Sequence, residues 1–266
     1  MLLSANFALS GQLAWTPGGY GVAFGRMMQD GIVARYLNDH CPTMKLKLCP
    51  YRNQLPATAD EFLWGKSMFN TLGRFKGLND EMGFIALHSM TEYPAWQVEA
   101  ALAATAQQLV HVATGEGTSG FIPHTYGIIE RYLPAQLETM RAARQQHWDI
   151  NFTAINWVHV PVALGSMLLL LVIVERSFQR RRLDDVTLAA TVATELLGNA
   201  FIGGVISGPH DRYGAWKVWS ATYVALIASE RRRQRRTCLR VASRSNGSSA
   251  LATSRSCSLT TRRSSL

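Results

Sequence analysis

The sequence predicts an all-α, polytopic membrane protein with about three C-terminal transmembrane helices, a partial N-terminal one and an all-α extracytoplasmic domain. Three observations support this prediction. Residues 152–174 contain no Asp, Glu, Lys or Arg, and two further apolar segments follow them. Arginine clusters flank these segments on one side only. Upstream, apolar residues recur at the three-to-four spacing of helices, and no alternating run of strand length occurs.

The first residues, 1–15, read MLLSANFALSGQLAW and are apolar and uncharged, but they are too few to cross a bilayer alone. They lack the basic amino-terminal region and the small-residue cleavage site of a signal peptide. We therefore interpret this segment as a partial or truncated transmembrane helix that begins near the cytoplasmic side.

Residues 16–150 are predicted to form a helical extracytoplasmic domain. An apolar stripe at helical spacing runs through its first part: Phe24, Met27, Met28, Ile32 and Tyr36. Thr58 followed by Glu61 is a capping-box signature and predicts a helix start. The other predicted starts are a capping asparagine and two prolines, which are favoured in a first helical turn: Asn79, Pro94 and Pro134.

Two cysteines in this domain, Cys41 and Cys49, are eight residues apart. In an oxidising compartment such a pair can close a small loop through a disulfide, which is the favoured interpretation. The alternative is two unrelated buried thiols. Zinc would need two more ligands, and no nearby His or Cys pair supplies them, so neither a metal nor a cofactor is predicted.

Three membrane spans are predicted in the C-terminal half. The first covers residues 152–174, long enough for a hydrocarbon core of about 30 Å at about 1.5 Å per residue. A buried helix of a soluble protein rarely needs so long an uncharged run. The second covers residues 186–207. The third covers residues 213–229, where tyrosine and tryptophan can lie at the headgroups while Lys217 extends toward them.

The arginine distribution predicts the orientation of these spans. Clusters at 176–182 and 231–236 lie on one side, whereas residues 209–214 on the other side carry only Arg212 against Asp211. Because cytoplasmic loops are enriched in Lys and Arg, the first side is predicted to be cytoplasmic. The 16–150 domain and residues 209–214 are then predicted to face outward.

The net charge of +9 comes from the C-terminal end, since residues 230–266 hold ten arginines and one glutamate. The rest of the chain is neutral, so no basic folded surface for nucleic acid is indicated. Residues 231–266 are predicted to be a disordered, Arg/Ser-rich cytoplasmic tail, because this composition buries too little apolar area to fold. Out-of-frame translation of this segment is an equally open interpretation.

The second predicted span contains polar and small residues at regular spacing. Glu195 lies near its middle with Asn199 one turn later, and an ionisable group at that depth is a functional candidate. The alternative is a protonated glutamate hydrogen-bonded within the bundle. Ala200, Gly204 and Gly208 recur every four residues, which lets another helix approach closely, either in this bundle or in another membrane protein.

A charged tetrapeptide, His210-Asp211-Arg212-Tyr213, follows Gly208-Pro209 and precedes Gly214. One interpretation is a tight outward turn at the level of the lipid headgroups. The other is a site for an anion or a lipid headgroup, with Arg212 as the hydrogen-bond donor. No complete catalytic constellation is present, so no catalytic residue is assigned and enzymatic activity stays open.

Four stretches carry a resemblance to a known family: GRMMQDGIVARYLNDHCP, LCPYRNQLPATADEFLW, YPAWQVEAALAATAQQL and NAFIGGVISGPHDRYGAWKVW. They resemble an uncharacterised family of proteobacterial multi-pass inner-membrane proteins over most of residues 16–225. The resemblance implies a bacterial inner-membrane location and no particular reaction. A weaker resemblance is to polytopic lipid-linked glycosyltransferases, which also place an Arg-Tyr pair before a late transmembrane helix. The acidic catalytic residue of those enzymes maps to no position here.

These observations give two expectations for function. The first is a membrane protein that binds a partner or scaffolds a cell-envelope complex, with the lipid bilayer and other membrane proteins as its partners. The alternative is a glycosyltransferase-like or lipid-handling protein that acts at the outer leaflet.

Overall fold

The computed structural model describes residues 19–118, 123–147 and 149–244, together with Ser4, Phe7 and Ala8. Over these residues the regular secondary structure is helical, as predicted. Most of the predicted N-terminal membrane segment, 1–15, and the last part of the predicted tail, 245–266, lie outside the described residues.

The chain divides into two compact units. Unit 1 comprises Met1–His111 and Leu197–Gly214, and unit 2 comprises Val112–Leu196 and Ala215–Leu266. The units do not follow the predicted segments, because residues 112–150 belong to unit 2 and residues 197–214 belong to unit 1. The membrane topology of these segments stays a prediction.

Between residues 19 and 111, the described part of unit 1 forms these α-helices: α1 (Gly19–Gln29), α2 (Ile32–His40), α3 (Ala59–Trp64), α4 (Met68–Thr71), α5 (Arg74–Glu92) and α6 (Pro94–Val110). The predicted cap of α3 is confirmed, since the Thr58 hydroxyl accepts a hydrogen bond from the Glu61 N–H at 3.1 Å. The predicted start of α6 at Pro94 is also confirmed. The start of α5 differs from the prediction: the helix begins at Arg74, five residues before Asn79, because the preceding turn ends at Gly73 with φ 84°.

The core of unit 1 forms where α1 packs against α3 and α5. All five residues of the predicted apolar stripe are buried, with exposed fractions between 0% and 6%: Phe24, Met27, Met28, Ile32 and Tyr36. Leu78, Met82 and Ile85 of α5 complete the same cluster. Helical spacing alone therefore located the core faces of α1 and α2.

A disulfide and a carboxylate contact fix the loop between α2 and α3. The predicted disulfide between Cys41 and Cys49 is present, with their Cα atoms 5.5 Å apart. The Glu81 carboxylate of α5 accepts hydrogen bonds from the N–H groups of Lys47 and Leu48 at 2.8 and 2.9 Å. The loop is thus closed covalently and anchored to α5.

Unit 2 begins with short helices and continues with long ones: α7 (Pro123–Tyr132), α8 (Leu137–Arg141), α9 (Thr153–Gln179), the first part of α10 (Leu183–Ile202) and α12 (Trp219–Arg244). The helix predicted to start at Pro134 is broken into 3-10 turns at Pro134–Gln136 and Arg144–His147 on either side of α8. After α10 come a π-helical turn, Gly203–Ser207, and the four-residue α11, Asp211–Gly214, both in unit 1.

Two helical segments, Thr153–Gln179 and Leu183–Ser207, are long and apolar enough to cross a membrane. Only 22% and 28% of the residues in their most apolar 18-residue windows are buried. These helices overlap the first two predicted spans, 152–174 and 186–207, and suggest association with a membrane.

The third predicted span, 213–229, differs from the observed helix. Residues up to Gly214 belong to α11, residues 215–218 form turns, and α12 starts at Trp219. The helix then continues to Arg244, past residue 231, where disorder was predicted to start. Arginine, glutamine and leucine are good helix formers, and they extend a helix that is already nucleated by its apolar first turns.

The three long helices of unit 2 share one core: α9, α10 and α12 contribute Ile173, Val192 and Val224 to the same buried cluster. Ion pairs fix the direction of α10 against the last segment, because Asp185 contacts Arg231 at 2.7 Å and Glu195 contacts Lys217 at 3.0 Å. As the residue number rises in α10, the number of its partner falls, so these segments run antiparallel.

In contrast to α10 and α12, the helices α9 and α12 run in the same direction. Ala163 packs with Val218, and the Thr222 hydroxyl donates to the Ser166 hydroxyl at 3.0 Å. Farther along, Ile173 packs in one cluster with Ala228. Residue numbers rise together in both helices, so α9 and α12 run parallel. Along the chain, α9, α10 and α12 therefore alternate in direction.

Candidate functional site

The candidate site is the segment from Gly208 to Gly214, which we call the 208–214 turn. It follows the π-helical end of α10 and includes α11, within unit 1. Gly208 has a φ of 93°, which glycine adopts far more readily than other residues, and Pro209 follows it. This glycine-proline pair ends the long helix and turns the chain.

The buried side chain of Gln108 holds the backbone of the turn. Its carbonyl oxygen accepts a hydrogen bond from the His210 N–H at 2.8 Å, and its amide nitrogen donates to the His210 carbonyl at 2.9 Å. Gln108 is only 1% exposed. One amide side chain thus bonds both backbone groups of His210, and the His210 carbonyl also accepts from the Tyr213 N–H at 3.1 Å.

A second amide holds the other end of the turn. Asn199, on α10, donates from Nδ2 to the Tyr213 carbonyl oxygen at 2.9 Å. The predicted intramembrane polar residue Asn199 therefore has a defined structural partner. Together with Gln108 it fixes both ends of the tetrapeptide that the sequence singled out.

Two glycines let α6 approach this region closely. A Cβ atom at Gly204 would lie 2.6 Å from the carbonyl oxygen of Ala104, and one at Gly214 would collide with the carbonyl oxygen of His111. Ala200 is 2% exposed. Of the predicted small-residue stripe, Gly204 thus contacts a helix of the same chain, while Gly208 lies beyond the helix end. Contact of the stripe with another membrane protein stays a prediction.

The side chains of the tetrapeptide lie near carboxylates and an aromatic ring. His210 Nε2 is 3.9 Å from Asp60 Oδ2, and His111 Nδ1 is 3.5 Å from Asp211 Oδ1. Each pair becomes an ion pair when its histidine is protonated. These pairs connect the turn to α3 and to the end of α6.

Arg212 is the exposed member of the tetrapeptide. Its guanidinium lies over the Tyr213 ring, 5.1 Å from the centroid, and one nitrogen is 3.4 Å from the Tyr213 hydroxyl. Stacking on an aromatic face orients a guanidinium. This geometry suits the recognition of a carboxylate or a phosphate.

The other predicted intramembrane polar residue, Glu195, belongs to unit 2. Its carboxylate accepts from Lys217 Nζ at 3.0 Å, and the two side chains are 38% and 27% exposed. Lys217 also lies 4.2 Å from the centroid of the Trp216 ring. The structure thus places Glu195 in an ion pair between α10 and the start of α12, a pairing that neither sequence interpretation of Glu195 included.

We expect Glu195→Ala to destabilise unit 2, because it leaves the Lys217 ammonium without its carboxylate. The loss should exceed the ~1 kcal/mol of a water-exposed pair and stay below the about 3–5 kcal/mol of a fully buried one. Thermal unfolding in lipid nanodiscs measures it. In the double variant Glu195→Ala/Lys217→Ala much of the loss should be recovered, whereas additive losses would show that the pair does not couple the two segments.

A polar cluster in unit 2 ties the start of α9 to residues 112–114. Asn156 accepts from the Thr114 N–H at 2.8 Å and donates to the Thr114 carbonyl at 3.0 Å. His159, 5% exposed, contacts the Val112 carbonyl through Nε2 at 2.8 Å. These contacts assign structural roles to the two polar residues near the start of the first predicted span.

Sequence reasoning found the tetrapeptide but missed its partners Gln108, Asp60 and His111. Gln108 had a usable signal, since a glutamine within the uncharged run AALAATAQQLV needs a polar partner if its helix face is buried. Among the described residues, no group of three or more His, Cys, Asp or Glu side chains is arranged to hold a metal ion.

Comparison with known proteins adds no relative from which a role could be carried over. No protein-family model matches the chain, and neither a curated protein nor a solved structure matches it. The function is therefore argued from the chain's own residues.

Proposed function

We propose that this chain is a multi-pass protein of the bacterial inner membrane that binds or scaffolds components of the cell envelope. The observation that carries the proposal is the apolar exterior of the two membrane-length helices. Large apolar side chains on α9 are exposed, among them Leu168 at 66%, Leu171 at 61% and Phe178 at 74%. Water disfavours so continuous an apolar surface, whereas lipid tails cover it without cost.

A third span made by the first part of α12 is included in this proposal. It is supported by the helix directions in unit 2, where α12 runs parallel to α9 and antiparallel to α10, as a third span must. Tyr223 and Leu226 are 64% and 63% exposed on α12, so its outer face continues the apolar surface. The apolar part is short, and Trp219 and Lys217 can extend to the headgroups at its start.

The orientation follows from charge. Arg180, Arg181 and Arg182 form the connection between α9 and α10, and α12 carries its arginines after residue 230. With these ends in the cytoplasm, the 208–214 turn and the 16–150 domain face outward.

The binding role rests on the preorganised 208–214 turn. Gln108 and Asn199 fix its backbone, so the exposed Arg212 is presented to a partner with little loss of conformational freedom on binding. A carboxylate or phosphate on the partner fits the guanidinium edge.

A photo-crosslinking amino acid at position 212, in the full chain in native membranes, tests the binding role. We expect one discrete protein adduct from position 212 and none from the exposed control position Gln179 at the arginine-rich end of α9. Alkaline carbonate extraction of the same membranes should leave the protein in the pellet. Release of the protein by carbonate, or equal adducts from both positions, would contradict the proposal.

A second candidate function is lipid handling at the outer leaflet, with Arg212 on an anionic headgroup. It is favoured by the exposed guanidinium stacked on Tyr213. We expect Arg212→Ala to change the lipid or glycan profile of cells, measured by mass spectrometry against a strain lacking the protein, with unchanged protein abundance. Arg212→Lys keeps the charge but loses the planar fork and should rescue only in part. Equal loss of abundance and profile would show that the residue only supports the turn.

A further inference from the structure

A groove opens between α9 and α12 in unit 2. Its volume is about 240 Å³, and its lining combines apolar and basic side chains: Leu169, Ile173, Ala225, Ala228, Ser229, Arg232, Arg233 and Arg236. The groove is independent of the 208–214 turn, because all of these residues belong to unit 2.

The lining of the groove follows one face of α12. Positions 225, 228, 229, 232, 233 and 236 are separated by steps of one, three or four residues, so they share a face of the helix. Along this face the residue type changes from alanine to arginine. The short alanine side chains leave space next to the α12 backbone, and Leu169 and Ile173 of α9 form the apolar wall opposite.

The charge of the groove selects its occupant. Three guanidinium groups border one end, and no acidic side chain occurs among the described lining residues. The first part of the groove offers only methyl and larger alkyl groups. A ligand that matches this gradient has a hydrocarbon chain at one end and a phosphate at the other.

We propose that this groove binds one anionic phospholipid of the cytoplasmic leaflet. An acyl chain lies against Leu169, Ile173 and the two alanines, and the headgroup phosphate accepts hydrogen bonds from Arg232, Arg233 and Arg236. The inference rests on the proposed function, since it requires α9 and α12 to lie in a bilayer with their arginine-rich ends in the cytoplasm.

Native mass spectrometry of the full chain, released from bilayers of phosphatidylcholine and phosphatidylglycerol in equal amounts, tests the inference. We expect wild-type protein to retain one phosphatidylglycerol in preference to phosphatidylcholine. The variant Arg232→Gln/Arg236→Gln should lose that preference. The matched control Arg180→Gln/Arg181→Gln removes the same charge from exposed positions outside the groove and should keep it.

Occupation of the apolar part is tested by Ser229→Trp, which places a bulky ring in the groove at an exposed position without changing the charge. We expect this variant to lose the bound phosphatidylglycerol while its melting temperature stays close to that of wild type. Retention of the lipid in Ser229→Trp, or equal loss in the Arg180/Arg181 control, would overturn the inference. Complete displacement of the lipid by inorganic phosphate would also overturn it, since the site would then bind only the anion.

Failure of this inference is distinguishable from failure of the proposed function. If carbonate extraction leaves the protein in the membrane pellet but the groove variants retain phosphatidylglycerol as wild type does, only the lipid site is wrong. If carbonate releases the protein, the membrane proposal fails and the lipid site fails with it.

Discussion

Gly204→Ala should destabilise unit 1 by about 1–3 kcal/mol, the usual cost of overpacking a close contact. The added methyl group would lie 2.6 Å from the Ala104 carbonyl oxygen, 3.0 Å from the Ala104 carbonyl carbon and 3.1 Å from Gln108 Cβ, and none of these atoms can move aside by a side-chain rotation. Either α6 or the π-helical end of α10 must shift. Thermal unfolding in lipid nanodiscs, followed by circular dichroism, measures the loss.

The matched control for this prediction is Gly198→Ala on the same helix. A Cβ atom at Gly198 meets no described atom within 4 Å, so only the helix propensity changes. Alanine is favoured over glycine in a helix by roughly 0.5–1 kcal/mol, so this variant should be neutral or more stable. Similar losses in both variants would contradict the close packing of α6 on residues 203–207.

Gln108→Leu should have an effect of similar size. The leucine removes both hydrogen bonds to the His210 backbone. The His210 carbonyl keeps its bond from the Tyr213 N–H, so we expect a cost of about 1–3 kcal/mol for the N–H that loses the Gln108 acceptor. We expect a lower melting temperature and faster proteolysis at the 208–214 turn. The proteolysis readout locates the loss at the turn, which a general core defect would not do.

The neighbouring glutamine supplies the control. Gln107 is exposed on the same helix, so Gln107→Leu should change stability little. In Gln108→Glu, the carboxylate can still accept from the His210 N–H but cannot donate to the His210 carbonyl, so an intermediate loss is expected. If Gln108→Leu behaved like Gln107→Leu, the amide would not be what fixes the turn.

These two predictions connect stability to the proposed binding role. If the turn is preorganised by Gln108, loosening it should weaken partner contact at Arg212 even when Arg212 is intact. Crosslinking from position 212 in the Gln108→Leu background should therefore fall, while the Gln107→Leu background should keep it.

Periodic patterns predicted the features that depend on local sequence. The spacing of Phe24, Ile32 and Tyr36 located the core face of α1 and α2, and Thr58 and Pro94 located two helix starts. The positions of the two membrane-length helices were predicted from long apolar runs, the first of them uncharged. Each of these sequence patterns reflects the backbone of one helix or the burial of one helix face. Such features can therefore be predicted without knowing the tertiary contacts.

Features that depend on distant partners were not predictable. Gln108 and His210 are 102 residues apart, and the sequence of the turn does not indicate which distant residue binds it. The pairing of Glu195 with Lys217 likewise needed the antiparallel register of α10 and α12. The start of α12 at Trp219 was missed because the apolar run begins earlier, at residue 215, where the chain forms turns instead of helix.

The disposition of the arginines across the bilayer is the central claim, and cysteine labelling in intact bacterial cells tests it most directly. Two reporters that each add one cysteine, Glu138→Cys and Gln179→Cys, are compared in a background that keeps the Cys41–Cys49 disulfide and has Cys238 and Cys257 replaced by serine. Glu138 is 84% exposed in the domain predicted to face outward, and Gln179 ends α9 beside the arginine cluster. With a membrane-impermeant maleimide, we expect position 138 to label in intact cells and position 179 only after the membrane is permeabilised. Equal labelling of both positions in intact cells, or the reverse pattern, would contradict the account.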